Sequence, residues 1–295
     1  MIVKNDFSLR AYNSYRVDAI GGAVYFPETD MDFVRLFGPE FAGRRKLLLG
    51  GGYNVILTKE YYPDEIFIII DEHFARTQVR EEVDKSREEK LIYAQAGQNL
   101  KALSELAYVQ ELTGLEYFLD IPGSLGGAIY MNAGSKGEDI CSLLDWVRYL
   151  DTATGEIHRR TLEPGEFGYR MSIFQSRKNL VVLDCELRLP IGDTVAIREK
   201  MDKNKALRWS MQPRDYPNAG SVFKRPPGHY VGQLIEELGL KGYQIGGAAV
   251  SEKHAGFIVN KGGATGLDVQ LLIKDIQARV LDAYNVELEV EQQFF

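Results

Sequence analysis

Residues 120–137 read DIPGSLGGAIYMNAGSKG, five glycines and an Asn-Ala-Gly inside an otherwise ordinary globular pattern. A glycine within a regular element costs roughly 0.5–1 kcal/mol relative to alanine, so a cluster of them marks a conformation or a close approach that side chains forbid. A second cluster, GGGYN at 50–54, lies between the apolar runs KLLL and NVILT. Three consecutive glycines exceed what a hairpin turn requires. Neither cluster follows the common phosphate-binding patterns: GxGxxG counted from Gly50 needs glycine where Val55 stands, and GxxxxGK[ST] is absent. What remains is a pair of loops, 50–54 and 122–127, offering backbone N–H groups and small hydroxyls to one pyrophosphate. Taken singly, each also reads as a tight connection, Pro122-Gly123 as a turn and Gly126-Gly127 as a packing contact.

Working outward, GAVYFP, KLLLGGG, NVILT and EIFIIIDE read as short strands around one helix, TDMDFVRLFG, capped by Thr29 or Asp30. The charge run EEVDKSREEK at 81–90 reads as a solvated hairpin tip or loop. LIYAQAG resumes a strand, and NLKALSELAYVQELTG is helical, with Leu100, Leu103, Leu106 and Leu112 at helical spacings and Gly114 as C-cap. Downstream, LLDWVRYLDTATGEIHRR predicts a hairpin around TATG, and NLVVLDCELRLP a strand stopped by proline. Residues 192–209 predict a charged helix with one buried stripe. The remainder holds a loop, QPRDYPNAGSVFKRPPG, a short helix, VGQLIEELGL, a long helix over 267–284 and a last strand, VELEVEQ.

At 295 residues the chain has room for two or three domains. Hydrophobic residues make up 45% and charged residues 26%, a soluble balance, and no run approaches the ~20 apolar residues of a membrane span. The start, MIVKNDFSLRAYNSYRV, lacks the apolar stretch of a secretory signal, so a cytoplasmic location is expected. A net charge of −7 gives no general reason to bind nucleic acid. Local backbone dipoles still attract a small anion. Cys141 and Cys185 sit among apolar neighbours and read as small buried hydrophobes. His73, His158, His229 and His254 show no HxxxH or HxH spacing, so no metal site is expected.

In this order, and over essentially the whole chain, LLLGGGYNV, LDIPGSLGGAIYMNAG, FGYRMSIFQ, NAGSVFKRPPG and LEVEQ resemble the UDP-N-acetylenolpyruvoylglucosamine reductase family. The glycine loops also resemble the wider group of vanillyl-alcohol-oxidase-type flavoproteins. The resemblance implies an α+β, three-domain fold. Its two-part FAD-binding region would span 1–74 and 75–205, with 292–295 as a candidate return to the second part, and a C-terminal α/β domain, 206–291, would take a UDP-sugar. Tightly but non-covalently bound FAD would be held by Gly50, Gly51, Gly52, Asn54, Pro122, Gly123, Ser124, Gly126 and Gly127, with Asn132, Ala133 and Gly134 lining the flavin site. NADPH would be the co-substrate and UDP-N-acetylglucosamine enolpyruvate the substrate, in a monomeric, cytoplasmic enzyme of peptidoglycan synthesis.

Reducing the vinyl ether of such a substrate builds charge at C2 and its carboxylate, which calls for a cation on the carboxylate and a proton donor at C2. The resemblance assigns the first role to Arg170 in YRMSIF, since a guanidinium binds a carboxylate by charge-assisted, often bidentate contacts. It assigns proton donation to Ser221 in NAGSVF. Glu287, Glu289 and Glu291 fall at period two, so spacing does not choose among them; matching LEVEQ to the family's LE-x-E-V ending selects Glu291, which would polarise or protonate the carboxylate region. Read alone, Arg170 is a surface ion-pair residue, Ser221 a turn hydroxyl and the glutamates a solvated strand edge.

The chain departs from the family pattern at Tyr53, where serine is usual, at Asp120, where glycine is common, and at NSYR in place of Asn-Thr. Arg225 in FKRPPG, with the short segment after YRMSIF, resembles the shorter, second subclass. Lys224 and Arg225 are assigned to the diphosphate or uridine, as basic side chains suit an anionic nucleotide. The alternatives are an oxidase of the same fold and a catalytically silent flavin- or UDP-sugar-binding protein. The first has no reason to hold Arg170, Ser221 and Glu291 together, and the second would be expected to lose one of them.

Overall fold

Leu180–Pro190 is an eleven-residue strand buried almost throughout, and an apolar run buried on both faces belongs in the middle of a sheet. In the computed structural model, which describes residues 1–81, 88–135 and 137–295, it is the central strand of five. Leu144–Asp151 pairs with it on one side and Glu89–Gln95 on the other, both antiparallel. Glu156–Arg160 and Thr77–Glu81 form the two edges. The charge run expected as a hairpin tip, between Thr77–Glu81 and Glu89–Gln95, falls mostly outside the described residues.

Two compact units emerge, each built from separate stretches of chain. The first comprises Met1–Val3, Tyr25–Gly51 and Ile66–Leu207; the second comprises Lys4–Val24, Gly52–Glu65 and Arg208–Phe295. In the first, the five-stranded sheet shares an apolar core with Phe33 and Leu36 of the Asp30–Phe37 helix, Leu100 and Leu103 of the Leu100–Val109 helix, and Leu125 and Ile129 of the Leu125–Met131 helix. The run KLLL, as Lys46–Leu49, pairs in parallel with residues 66–69. Thr29 caps the Asp30–Phe37 helix, its hydroxyl accepting from the Asp32 N–H while the Asp32 carboxylate accepts from the Thr29 N–H.

In the second unit, a reciprocal cap of the same kind, Thr265 with Asp268, starts the Gly266–Tyr284 helix. A three-stranded antiparallel sheet of Gln244–Ile245, Ala248–Val250 and Ile258–Asn260 and the Val231–Glu237 helix accompany it. The chain's last strand, Gln293–Phe294, pairs in parallel with Val55–Ile56.

Three local expectations change. The helix starting at Leu100 ends at Val109, where the Gln110 N–H caps it and Glu111 turns left-handed at φ +60°; Gly114 lies beyond, in the following turn. The runs flanking GGGYN do not pair with each other, since each has a partner elsewhere. VELEVEQ makes one isolated bridge, Phe223 with Val290, instead of a strand; Glu287 and Glu289 extend into solvent. No described helix is long and apolar enough to cross a membrane, and no described group of three or more His, Cys, Asp or Glu could hold a metal ion.

Candidate active site

The two glycine loops meet within the first unit. A Cβ built on Gly50 would lie 2.1 Å from Ser124 Oγ, so a side chain there would force that hydroxyl from its place. Gly126 is packed the same way: its added Cβ would lie 2.8 Å from that of Ala96, whose carbonyl accepts the Gly126 N–H at 2.8 Å. Gly123 is glycine for a different reason. Nothing lies within 4 Å of its would-be Cβ, but its φ of +133° is one that L side chains rarely adopt. Its carbonyl accepts from Leu100 N–H at 3.1 Å, and the Leu125 N–H donates to Gln98 at 2.8 Å, which pins the loop to the start of the preceding helix.

Ser124 is buried and caps the Leu125–Met131 helix through a long bond from the Gly127 N–H, 3.4 Å. Its own N–H, like those of Gly51 and Gly123, donates to no acceptor among the described residues. Bare backbone, unspent N–H donors and a small hydroxyl in contact are a donor set that fits a phosphate or pyrophosphate without a cation. Pro122 precedes this turn and orders its entry.

The helix then delivers the next motif. Asn132 takes a left-handed conformation at φ +41° as its C-cap, and its buried side chain is spent on the protein: Nδ2 donates to the Gly168 carbonyl at 2.8 Å and Oδ1 accepts from the Cys141 N–H at 3.1 Å. Ala133 and Gly134 therefore offer backbone only, and Gly134 already accepts from Arg170 Nη2 at 3.1 Å. Arg170 itself is left-handed, at φ +52°, with its guanidinium 5.5 Å from the Tyr169 ring centroid. Gln175 Nε2 bonds the Arg170 carbonyl at 3.1 Å and the Tyr130 carbonyl at 2.8 Å, and Ser172 Oγ donates to Tyr130 at 2.7 Å. MNAG and YRMSIFQ thus form one hydrogen-bonded block. The sequence reading singled out Arg170 but not Ser172 and Gln175, which stand in the same motif and hold it.

The second unit contains the remaining residues. Gly52 accepts from the Ser14 N–H at 3.0 Å, and Ser14 Oγ is a buried hydroxyl with no partner. Asn54 Nδ2 donates to the Glu291 carbonyl at 3.2 Å, joining a residue expected at the cofactor to one expected in catalysis. Residues 222–224 run antiparallel to 289–291, with the Glu291 N–H on the Val222 carbonyl at 2.8 Å and the Lys224 N–H on the Glu289 carbonyl at 2.9 Å. Ser221 thereby lies next to the position facing Glu291. It is exposed, and its hydroxyl has no partner among the described residues. Lys224 Nζ is paired with Glu289 at 2.7 Å, and Arg225 stacks on Tyr230 with its guanidinium carbon 3.9 Å from the ring centroid.

Two cysteines complete the inventory as inert groups: burial pushes the Cys141 thiol up to about 12 and the Cys185 thiol well above its usual value.

The glycine loops stand on an α+β scaffold, and residues 24–161 match the family model of an FAD binding domain, which makes the chain a flavoprotein. Residues 212–295 match the model of the UDP-N-acetylenolpyruvoylglucosamine reductase C-terminal domain. The chain is 39% identical to the UDP-N-acetylenolpyruvoylglucosamine reductase of Francisella tularensis over 97% of each protein, and 38% identical to that of Geobacillus kaustophilus over 98% of this chain and 91% of the relative. The solved structure of the corresponding reductase from Thermus caldophilus superposes with a TM-score of 0.80 at 29% identity, covering 100% of this chain and 99% of that one. The chain belongs to the UDP-N-acetylenolpyruvoylglucosamine reductase family. It is an FAD-dependent oxidoreductase of peptidoglycan synthesis.

Proposed function

We propose that the chain reduces the enolpyruvyl group of UDP-N-acetylglucosamine enolpyruvate to give UDP-N-acetylmuramic acid, with Arg170, Ser221 and Glu291 as the catalytic residues. The observation that carries this reading is the Ser221 hydroxyl, exposed and without a partner among the described residues, on a fixed turn inside the segment that matches the reductase C-terminal domain. FAD, when bound, supplies the hydride for C3 of the enolpyruvyl group. The backbone of Gly50, Gly51, Gly52, Pro122, Gly123, Ser124, Gly126 and Gly127, with Asn54, holds its pyrophosphate, and the 132–134 backbone lines the flavin.

Arg170 binds the substrate carboxylate and stabilises the charge that grows there, because a charge-assisted contact strengthens as charge develops. Ser221 gives its proton to C2. A hydroxyl is a weak acid, so it acts only where carbanion character is already developing beside it. Glu291 polarises the carboxylate region, and Lys224 and Arg225 engage the nucleotide's diphosphate or uridine. In chain order we assign 1–74 and 75–205 to FAD and 206–291 to the UDP-sugar, in a monomeric cytoplasmic enzyme that binds no nucleic acid.

The test is anaerobic NADPH consumption by the FAD-loaded protein with and without UDP-N-acetylglucosamine enolpyruvate. Sustained turnover only with that substrate is expected. A single flavin reduction that is never discharged by the substrate would overturn the substrate assignment.

A further inference from the structure

Gln292 directly follows Glu291 and is 2% exposed, an unusual place for an amide unless both its ends are used. They are. Its Nε2 faces three successive carbonyls of the NAGS turn, Ala219 at 3.0 Å, Gly220 at 3.3 Å and Ser221 at 3.3 Å. Its Oε1 accepts from the Tyr15 hydroxyl at 2.9 Å. Tyr15 is 1% exposed, burial pushes its phenol pKa up, and the ring therefore remains a hydrogen-bond donor. That donation fixes which end of the amide faces the turn.

The other side of the turn is held independently. Asn218 Oδ1 accepts from the Gly220 N–H at 3.2 Å, while its Nδ2 donates to Pro213 and Tyr216 at 3.2 and 3.0 Å. Tyr15 is anchored in turn, its carbonyl accepting from Asn260 Nδ2 at 2.8 Å. Backbone carbonyls 219–221 are thus gripped from within the fold, while the Ser221 hydroxyl has no protein partner among the described residues.

We propose that Gln292, oriented by Tyr15, is a positioning residue for Ser221: it clamps the 219–221 turn so that the hydroxyl is aimed before substrate arrives. The inference rests on Ser221 being the proton donor, and the experiment separates the two. In FAD-loaded full-length protein, flavin bleaching by NADPH and anaerobic recolouring by UDP-N-acetylglucosamine enolpyruvate are followed as separate steps by stopped-flow absorbance. The variants are Gln292→Leu, Ser221→Ala, their combination, and Tyr15→Phe.

Gln292→Leu should slow recolouring by about 10–100-fold, the scale for a reacting group displaced by an ångström or less, and leave bleaching within about twofold. In the Ser221→Ala background the same change should cost less than about twofold more, because the group it aims is gone. Tyr15→Phe should slow recolouring in the same direction by about 3–10-fold, and it carries the same cycle with Ser221→Ala if Gln292→Leu does not fold. Wild-type recolouring in the folded Gln292 or Tyr15 variant, or an equal slowing in both Ser221 backgrounds, would overturn the positioning role and leave Ser221 untouched. Wild-type recolouring in Ser221→Ala would overturn the proton-donor assignment and the inference with it.

Discussion

Arg170 shows how much a single residue's conformation is worth. A non-glycine residue held left-handed costs of order 1 kcal/mol, and here the surrounding bonds from Gln175 to its carbonyl and from its guanidinium to Gly134 determine the geometry. Replacing Arg170 by glycine relieves that strain, but it adds roughly 0.5–1 kcal/mol of unfolded-state freedom and removes the bond to Gly134, of similar size. The terms nearly cancel. Arg170→Gly should therefore unfold within about 1 kcal/mol of wild type in urea while losing substrate-dependent flavin reoxidation; a large drop in stability would mean that the arginine serves the fold rather than the chemistry. Gly50 makes the opposite case. A methyl group 2.1 Å from Ser124 Oγ displaces that hydroxyl from between the two loops, so Gly50→Ala should purify with less flavin, read from absorbance near 450 nm against 280 nm. Full flavin content in that variant would remove the 50–51 and 122–127 contact from the cofactor site.

Elements give the best test of electrostatics in the Glu116 cluster. Glu116 is 2% exposed beneath the turn that follows the Leu100–Val109 helix, accepting from Thr113 Oγ1 at 2.5 Å and Gly114 N–H at 3.0 Å, with Lys200 of the Thr194–Met211 helix 3.3 Å away. Burial alone would raise its pKa, but these donors outweigh it and hold the carboxyl below its usual 4.5. A depressed folded-state pKa means that the stabilisation is fully present above about pH 4.5 and is lost as pH falls through the folded value. Glu116→Gln should thus cost about 1.5–3 kcal/mol at pH 7, the scale of hydrogen bonds to a charged group, and the gap to wild type should narrow as pH falls below 4.5. A gap that stays constant with pH would show that shape, not charge, is what the site needs. Elements are also where the sequence was most and least legible. The TATG hairpin emerged as Asp151 opposite Glu156, because its turn residues and alternating flanks are local signals. VELEVEQ carried an equally clear alternation and is not a strand, because its pairing with 222–224 stops at the single Phe223–Val290 bridge and does not reach Glu287. Alternation reports what a segment can do, and pairing is decided elsewhere in the chain.

At the scale of the molecule, that elsewhere is far away in sequence. Motifs picked out the glycine loops and the candidate reacting side chains, yet nothing local says that 4–24 and 52–65 pack in one compact unit with 208–295. The links are long-range: Gln293–Phe294 on Val55–Ile56, Phe295 O accepting from Thr58 N–H at 2.9 Å, Thr58 Oγ1 at 2.6 Å and Tyr62 OH at 2.8 Å, and Tyr15 on Gln292. A fragment ending at residue 207 therefore keeps all of the first unit but strips the second of most of its chain. Tyr15, Val55, Ile56 and Tyr62, all buried in the intact protein, would lose partners that nothing else in the fragment supplies. Burying such side chains is worth about 1.5–3 kcal/mol each, which is comparable in sum to the 5–15 kcal/mol that holds an ordinary domain together. The 1–207 fragment is thus expected to aggregate or to bind a hydrophobic dye such as ANS, even though the whole match to an FAD binding domain, 24–161, lies inside it. A soluble, dye-silent fragment that takes up FAD would show that the first unit folds without the second, and that residues 4–24 and 52–65 find their stability within it.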